Sequence, residues 1–205
     1  MKILFKHENG FFKNDRTFCE VYCLPENESF DELLNLGWLP SMDEKDIWYQ
    51  ARSCRLNVEN FNVSSKRKNI LNKLTYFVED YKNQLYIDNF FENFYKEKKF
   101  DIFDLYENCS VFFKIKVLIL KYKDEVVGFA RYIENITSNV FLNLSYTNQH
   151  TKLSLGTNLF FILQEITNLQ NKKYLYIYES YDNVFTYKQE FENVEIWNGR
   201  EWLTK

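Results

Sequence analysis

Residues 140–169, VFLNLSYTNQHTKLSLGTNLFFILQEITNL, decide the fold of this chain because they join two periodicities across one turn. The β-rich run 140–146 predicts a strand, and the apolar spacing of 159–169 predicts an amphipathic helix. The turn between them contains Ser154-Leu155-Gly156-Thr157. Such a turn is typical of a helix start whose free backbone N–H groups face a ligand. An ordinary helix start, with a Ser or Thr side chain as N-cap, explains the same residues.

The sequence on both sides of this unit predicts further strands in an antiparallel arrangement. Residues 111–133 are β-rich around a predicted turn at Lys123-Asp124. Residues 135–139 form a polar turn before the next strand, so three strands make a meander. After the helix, residues 174–178 predict another strand, and Asn198-Gly199 predicts a hairpin with a type I′ turn.

The first half of the chain predicts helices around one extended stretch. The predicted elements are a helix with a capping box at Ser29 and Glu32 that stops at Gly37, extended chain over 47–61, a helix from Ser64 to Tyr81 and a helix over 87–95. Together with the strands, they predict an α+β fold with a mixed, largely antiparallel sheet and packed helices. Residues 1–46 form a small N-terminal extension in this prediction, and residues 47–205 form the main domain.

The composition describes a soluble globular protein. Of the 205 residues, 45% are hydrophobic and 27% are charged, and the net charge of -3 does not favour coating of nucleic acid. The N-terminal apolar stretch is too short for a signal peptide, and no apolar run approaches the roughly 18 residues of a membrane helix. Four cysteines without a secretory signal are typical of reduced thiols. We therefore expect a cytoplasmic protein without membrane contact.

The predicted order of a meander, a crossing helix and a further strand resembles that of the Gcn5-related N-acyltransferase (GNAT) fold. Several motifs narrow this resemblance to one family. Their shared order resembles the C-terminal domain of arginyl- and leucyl-tRNA–protein transferases, from about residue 19 to residue 202. The residues that carry the resemblance are Tyr146, Ser154-Leu155-Gly156-Thr157, Tyr187-Lys188 with Phe191, Val194-Glu195-Ile196, Gly199 with Trp202 and, upstream, Gly37-Trp38, Arg55, Val58, Phe61 and Ser64.

The chain departs from that family's pattern at several positions. Thr147-Asn148 stand where the family has Asp-Pro after the tyrosine, and Val63 replaces a proline. The family's Cys-x-x-Cys pair, linked to metal or cluster binding, is here Cys19-x-x-x-Cys23. Tetrahedral zinc prefers tighter pairs with two further ligands. We therefore expect no metal, no iron–sulfur cluster and no other required cofactor, with Cys19 and Cys23 as the candidates for any metal.

The resemblance implies an enzyme that moves an amino acid, Arg or Leu, from charged tRNA to the N-terminal amine of an acceptor protein or peptide. It implies an acyl site at Tyr146, Ser154, Gly156, Thr157 and Tyr187. The substrate-binding and tRNA-binding residues that it implies are Arg55, Ser64, Lys66, Arg67, Lys68, Glu165, Tyr176 and Lys188. A solvated helix start explains residues 66–68 equally well, and an exposed helix face explains Glu165.

Such a reaction suits a chain with only two histidines. An aminoacyl ester is already activated, and an α-amine titrates near pH 8, so positioning matters more than a strong base. Two alternatives stay open. An acetyl-CoA-dependent N-acetyltransferase would bind pyrophosphate at the same turn, although Gly156 stands there without the usual further glycines. A non-catalytic tRNA-binding or peptide-binding module would explain the missing Asp-Pro.

Overall fold

The computed structural model describes residues 1–6, 20–41, 46–50, 52–59, 61–82, 84–99, 114–179, 188 and 191–204. The chain divides into unit 1, which comprises Met1–Asn57 and Tyr176–Lys205, and unit 2, which comprises Val58–Leu175. Both units contain antiparallel strands with few helices, so the predicted α+β class is confirmed. The predicted N-terminal extension, residues 1–46, falls inside unit 1, and its boundary stays a prediction.

Unit 1 is built from short strands and one helix. Their bounds are β1 Lys2–Lys6, β2 Glu20–Leu24, α1 Phe30–Asn35, β3 Leu39–Pro40, β4 Trp48–Gln50, β5 Ser53–Asn57, β11 Val194–Trp197 and β12 Trp202–Thr204. The first four strands form a sheet in the order β1-β2-β4-β3, and β11 pairs antiparallel with both β5 and β12. The predicted capping box of α1 is confirmed: the Ser29 N–H donates to the Glu32 carboxylate at 2.7 Å, and the Glu32 N–H donates to Ser29 Oγ at 3.3 Å.

The hairpin between β11 and β12 is confirmed, but its turn differs from the predicted type. The Asn198 N–H donates to the Glu201 carbonyl at 3.1 Å, which leaves Gly199 and Arg200 as the two central residues. Of these two, only Gly199 has a positive φ, +98°, and this fits a type II′ turn rather than type I′. The side-chain oxygen of Asn198 stabilises the turn by accepting from the N–H groups of Arg200 and Glu201 at 2.8 and 2.9 Å.

Unit 2 holds the longer strands and helices. Their bounds are α2 Ser65–Leu71, β6 Leu74–Asp80, α3 Leu85–Lys98, β7 Ile115–Tyr122, β8 Glu125–Glu134, β9 Ser138–Tyr146, a 3₁₀ helix Asn148–Leu153 and α4 Leu155–Leu169. A last strand, β10 (Tyr174–Glu179), starts in unit 2 and ends in unit 1. The strands β6, β7, β8 and β9 are neighbours in that order and all antiparallel, so the predicted meander is confirmed and gains one strand.

The single helix predicted from Ser64 to Tyr81 is wrong in its second half. Helix α2 ends at Leu71, and the next residues form strand β6 against β7. The run from Thr75 to Val78 consists of β-branched and aromatic residues, which favour a strand. Phe77 and Val78, predicted to lie on a buried helical stripe, are 42% and 37% exposed. Apolar spacing close to the helical period therefore did not mark a buried face in this segment.

Helices cover both faces of the unit 2 sheet. On one face, Phe90 of α3 packs against Phe129 of β8 with ring centroids 4.9 Å apart. On the other face, Phe160 of α4 packs against Phe141 of β9 at 4.7 Å. The apolar stripe predicted for α4 is buried except at Leu169, which lies on the last turn and is 70% exposed. This packing places the start of α4 beside the end of β9, where the candidate site lies.

Candidate functional site

The first turn of α4 lacks the side chains that usually satisfy a helix start. Ser154 precedes the helix in a left-handed conformation, with φ 47° and ψ 51°, and its side chain makes no capping bond. No acidic residue lies in the first turn. The interpretation of Ser154 as an ordinary side-chain cap is therefore wrong. The N–H groups of this turn stay available to a ligand, and no carboxylate offsets the positive end of the helix dipole.

Tyr146, predicted to line an acyl site, lies against this turn. A Cβ atom on Gly156 would lie only 2.8 Å from Tyr146 Cε1, so the missing side chain is what lets the ring approach the helix. The same ring packs against Phe94 of α3, with 5.0 Å between centroids. The fold thus brings Tyr146 and Gly156 into contact, with Ser154 and Thr157 on the same turn.

Two cations lie beside the start of α4. Arg67 of α2 donates from Nη1 to Asn158 Oδ1 at 3.0 Å, and its guanidinium lies 4.8 Å from the centre of the Phe161 ring. Lys98 of α3 places Nζ 5.6 Å from the centre of the Tyr146 ring. Cations at a helix N-terminus oppose the helix dipole. An anion bound at the free N–H groups would offset this conflict.

Sequence reasoning found Arg67 but missed Asn158 and Lys98. Asn158 is fully buried and donates from Nδ2 to the Leu153 carbonyl at 2.6 Å, so it joins Arg67 to the residues before the helix. The sequence does contain a signal for Asn158, because it is a polar residue one turn into an otherwise apolar helix. Lys98 carries no comparable signal, because only the packing of α3 beside β9 brings it near Tyr146.

The other candidates in unit 2 have different surroundings. Ser64 is the N-cap of α2, and Lys66 and Lys68 are exposed on that helix. Glu165 is exposed on α4. Burial and, to a smaller extent, the Glu165 charge raise the pKa of Tyr76 on β6. The substrate-binding and tRNA-binding roles of these side chains stay predictions.

Arg55 and Tyr176 lie together in unit 1, in a network with Glu195, Asn35 and Trp202. The buried Arg55 forms a 2.6 Å ion pair with Glu195 and donates from Nη1 to Tyr176 Oη at 3.3 Å. Tyr176 donates to Asn35 Oδ1 at 3.4 Å, and the Arg55 guanidinium lies 4.2 Å from the centre of the Trp202 ring. Contacts within the chain therefore account for both residues, and their binding roles stay predictions.

The remaining candidates are two cysteines and the segment Tyr187-Lys188. Tyr187 and Cys19 lie outside the described residues, and Lys188 is 3% exposed. Cys23 is buried in β2, and burial raises the pKa of its thiol to about 11, which opposes the thiolate that a metal needs. Within the described ranges, no three His, Cys, Asp or Glu side chains converge where they could hold a metal ion. No helix among those ranges has the length and apolarity to cross a membrane.

A buried ion pair that the sequence did not reveal holds α3 on the sheet. Arg131 of β8 is fully buried, bonds the Asp88 carboxylate at 2.5 Å and lies 4.0 Å from the centre of the Phe91 ring. Tyr81 donates to the same carboxylate at 2.6 Å. Burial lowers the pKa of the guanidinium to about 10. This cluster stabilises the position of α3, which carries Lys98.

No protein-family model and no curated protein sequence matches this chain. Solved structures do match it. One is L-PGS from Bacillus licheniformis, with a TM-score of 0.50 and 15% identity over 65% of this chain and 46% of that chain. A second is FemX, with a TM-score of 0.47 and 7% identity over 75% and 60% of the two chains. A third is the C-terminal domain of a putative lysylphosphatidylglycerol synthetase from Agrobacterium fabrum, with a TM-score of 0.45 and 9% identity over 80% and 57%.

This chain spans less than two thirds of each of these solved chains. At such identities the similarity concerns the fold. The GNAT-like arrangement predicted from the sequence is confirmed, with an antiparallel meander followed by the crossing helix α4 and the strand β10. The narrower resemblance to arginyl- and leucyl-tRNA–protein transferases stays a prediction.

Proposed function

We propose that this protein is a GNAT-like acyltransferase that binds an anionic acyl donor at the first turn of α4. The observation that carries the proposal is a helix start without cap or carboxylate, beside Arg67 and Lys98. Helices usually satisfy their first N–H groups with a polar side chain or an acid. Here the surrounding side chains have the charge that a bound anion needs.

The proposed donor is an aminoacyl-tRNA, and the acceptor is the N-terminal amine of a protein or peptide, which receives Arg or Leu. The charge distribution on α2 supports a polyanionic donor, since the exposed Lys66 and Lys68 extend the positive surface that begins at Arg67. Contacts to phosphates of this kind give affinity without sequence choice. Because Arg55 is already paired with Glu195, the proposal assigns donor binding to the cations around α4.

In the proposed reaction, the acceptor amine attacks the ester carbonyl carbon of the donor. The new C–N bond forms, the bond from that carbon to the tRNA oxygen breaks, and one amine proton passes to that oxygen, which leaves as a hydroxyl group of the tRNA. Tyr146 and the turn from Ser154 to Thr157 hold the donor, so positioning supplies most of the rate. An amine that titrates near pH 8 needs no strong base. Tyr187 and Lys188 enter the proposal through the resemblance alone.

The test offers the protein mixed charged tRNA together with peptides that begin with Asp, Glu or oxidised Cys. Mass spectrometry then follows the mass of the peptide. The proposal expects addition of an Arg or Leu residue, slowed in the variant Arg67→Met. Lys123→Met is the matched control, because Lys123 is an exposed cation in the turn between β7 and β8. No transfer from either Arg-tRNA or Leu-tRNA overturns the aminoacyl version of the proposal.

Acetyl-CoA is the second candidate donor, because its pyrophosphate would satisfy the same uncapped N–H groups. The single glycine of the turn, Gly156, offers less room for a pyrophosphate than a glycine-rich loop. Calorimetry with coenzyme A separates the two donors: binding that Arg67→Met abolishes favours acetyl-CoA. Binding of uncharged tRNA without turnover of any donor supports a non-catalytic module instead.

A further inference from the structure

The strand β6 leaves one hydrogen-bonding edge open. Among the described strands, β6 pairs with β7 alone. The Tyr81 N–H, directly after β6, donates to the Ile115 carbonyl of β7 at 3.0 Å. In an antiparallel pair, residues that bond the neighbour alternate with residues that point away from it. Leu74, Tyr76 and Val78 therefore aim their N–H and C=O groups away from β7, along the open edge.

The open edge is also apolar. Tyr76, Phe77 and Val78 are 39%, 42% and 37% exposed, and the strand has seven residues without a proline. Natural proteins usually protect such edges with prolines, bulges or a covering element, because a long open edge pairs with other strands. An exposed apolar edge strand of this length indicates a partner strand.

The charges at the two ends of β6 select one partner and one register. Lys73 directly precedes the strand, in the turn after α2, and Glu79 is the sixth of its seven residues. Among the residues that the structure describes, neither one forms an ion pair. If a second copy aligns antiparallel with Tyr76 opposite itself, Lys73 lies opposite Glu79 and Leu74 lies opposite Val78. In that register the outward-pointing residues of both strands face one another, so their backbone groups can bond.

We propose that two copies of this chain associate through their β6 strands, antiparallel, with the two-fold axis at Tyr76. The contact is isologous, since each copy supplies the same residues to the other. It would form about six backbone hydrogen bonds, two for each facing pair of outward residues. Two Lys73–Glu79 pairs and two Leu74–Val78 pairs flank the axis. The proposal is independent of the proposed acyl transfer.

Sedimentation equilibrium on charge-reversed variants tests the partner and the register together. The full chain should show a concentration-dependent dimer, and Lys73→Glu or Glu79→Lys alone should raise the dissociation constant about tenfold, since each change sets two like-charge pairs across the strands. The double variant should have a dissociation constant within about twofold of that of the unchanged chain, because the two ion pairs re-form with their charges exchanged. Arg200→Glu, which reverses an exposed cation in the turn between β11 and β12, is the control and should have no effect.

Oxidative cross-linking provides a second measurement that does not depend on charge. Tyr76→Cys should form a disulfide between copies, because facing residues of a hydrogen-bonded pair have Cα atoms about 5.5 Å apart. Phe77→Cys should not, since this register places it opposite Thr75 of the other copy. Mass spectrometry of the joined peptides identifies the bond despite the chain's own four cysteines. A monomer at every concentration, or a dimer that both single charge reversals leave unchanged, overturns the proposal.

Discussion

The helices α1 and α4 begin in opposite ways. Helix α1 has reciprocal bonds between Ser29 and Glu32, with Asp31 as a further acid in its first turn. Helix α4 follows a left-handed Ser154, has neither cap nor acid, and has Arg67 beside it. The first helix bonds its N–H groups with the Ser29 side chain, whereas the second receives no bond from a cap side chain. The difference teaches that a helix start which breaks the local rules marks a candidate site.

Gly156→Val has the largest expected effect on this difference, a loss of about 100-fold in transfer rate. The first added side-chain atom would lie 2.8 Å from Tyr146 Cε1, so the ring would have to leave the helix start. Valine itself suits a helix better than glycine. Transfer kinetics and thermal unfolding measure the two properties. Asn168→Val, exposed near the other end of α4, is the control; an unchanged rate in Gly156→Val would remove Tyr146 from the site.

Thr157→Glu makes the start of α4 resemble that of α1. An acid in the first turn should stabilise the protein by about 0.3–1 kcal/mol and weaken donor binding about tenfold through repulsion. Thr157→Gln has the same size without the charge and therefore separates the two effects. Urea unfolding and binding of charged tRNA measure them. Higher stability with unchanged donor affinity would show that the anion binds elsewhere.

Arg67→Met removes one of the two cations beside α4, and we expect donor binding to weaken about fivefold. If Arg67 contacts a phosphate, the slope of log affinity against log salt should fall by about 0.7 to 0.9. Binding measured at several salt concentrations gives this slope. Lys123→Met should leave both affinity and slope unchanged, and an unchanged slope in Arg67→Met would contradict the phosphate contact.

Ser29→Ala should lower the free energy of unfolding by about 1 kcal/mol without changing transfer, because it removes a cap that serves only the fold. Ser154→Ala should cost nothing through capping, since the Ser154 side chain makes no cap bond. Denaturant unfolding of the two variants measures the difference. Equal losses of stability would remove the distinction between the two helix starts.

The smallest expected effect concerns pH. Hydrogen bonds from the Ser29 backbone and side chain lower the pKa of Glu32 below its ordinary value of 4.5. A carboxylate whose pKa is lowered in the folded state stabilises the protein at pH values above its ordinary pKa. This contribution disappears as the pH falls through the folded-state pKa. Glu32→Gln should therefore have a lower free energy of unfolding than the unchanged chain at neutral pH. The two free energies should converge in acid. A stability difference that stays constant with pH would contradict the bond to the carboxylate.

Several elements could be predicted because their signals are local. The capping box at Ser29 and the β-rich runs and turns of the meander each depend on residues a few positions apart. The prediction of a helix at Phe77 and Val78 was wrong because short apolar runs fit both a helix and a strand. Pairing with β7 stabilises the strand at this position. Within the site, Tyr146 and Gly156 were recognised through an ordered resemblance, whereas Lys98 was not, since its distance from Tyr146 depends on how α3 packs.

By itself, the sequence determined the α+β class, the order of the meander and the start of α4 after a small-residue turn, because periodicity and turn chemistry are properties of neighbouring residues. Only the tertiary structure decided that this start is uncapped and that Arg67 reaches Asn158, 91 positions away. It likewise decided that Arg55 is paired with Glu195, 140 positions further along the chain. The physical reason is that these charges meet through the crossing of distant segments, and no local pattern encodes which segments cross.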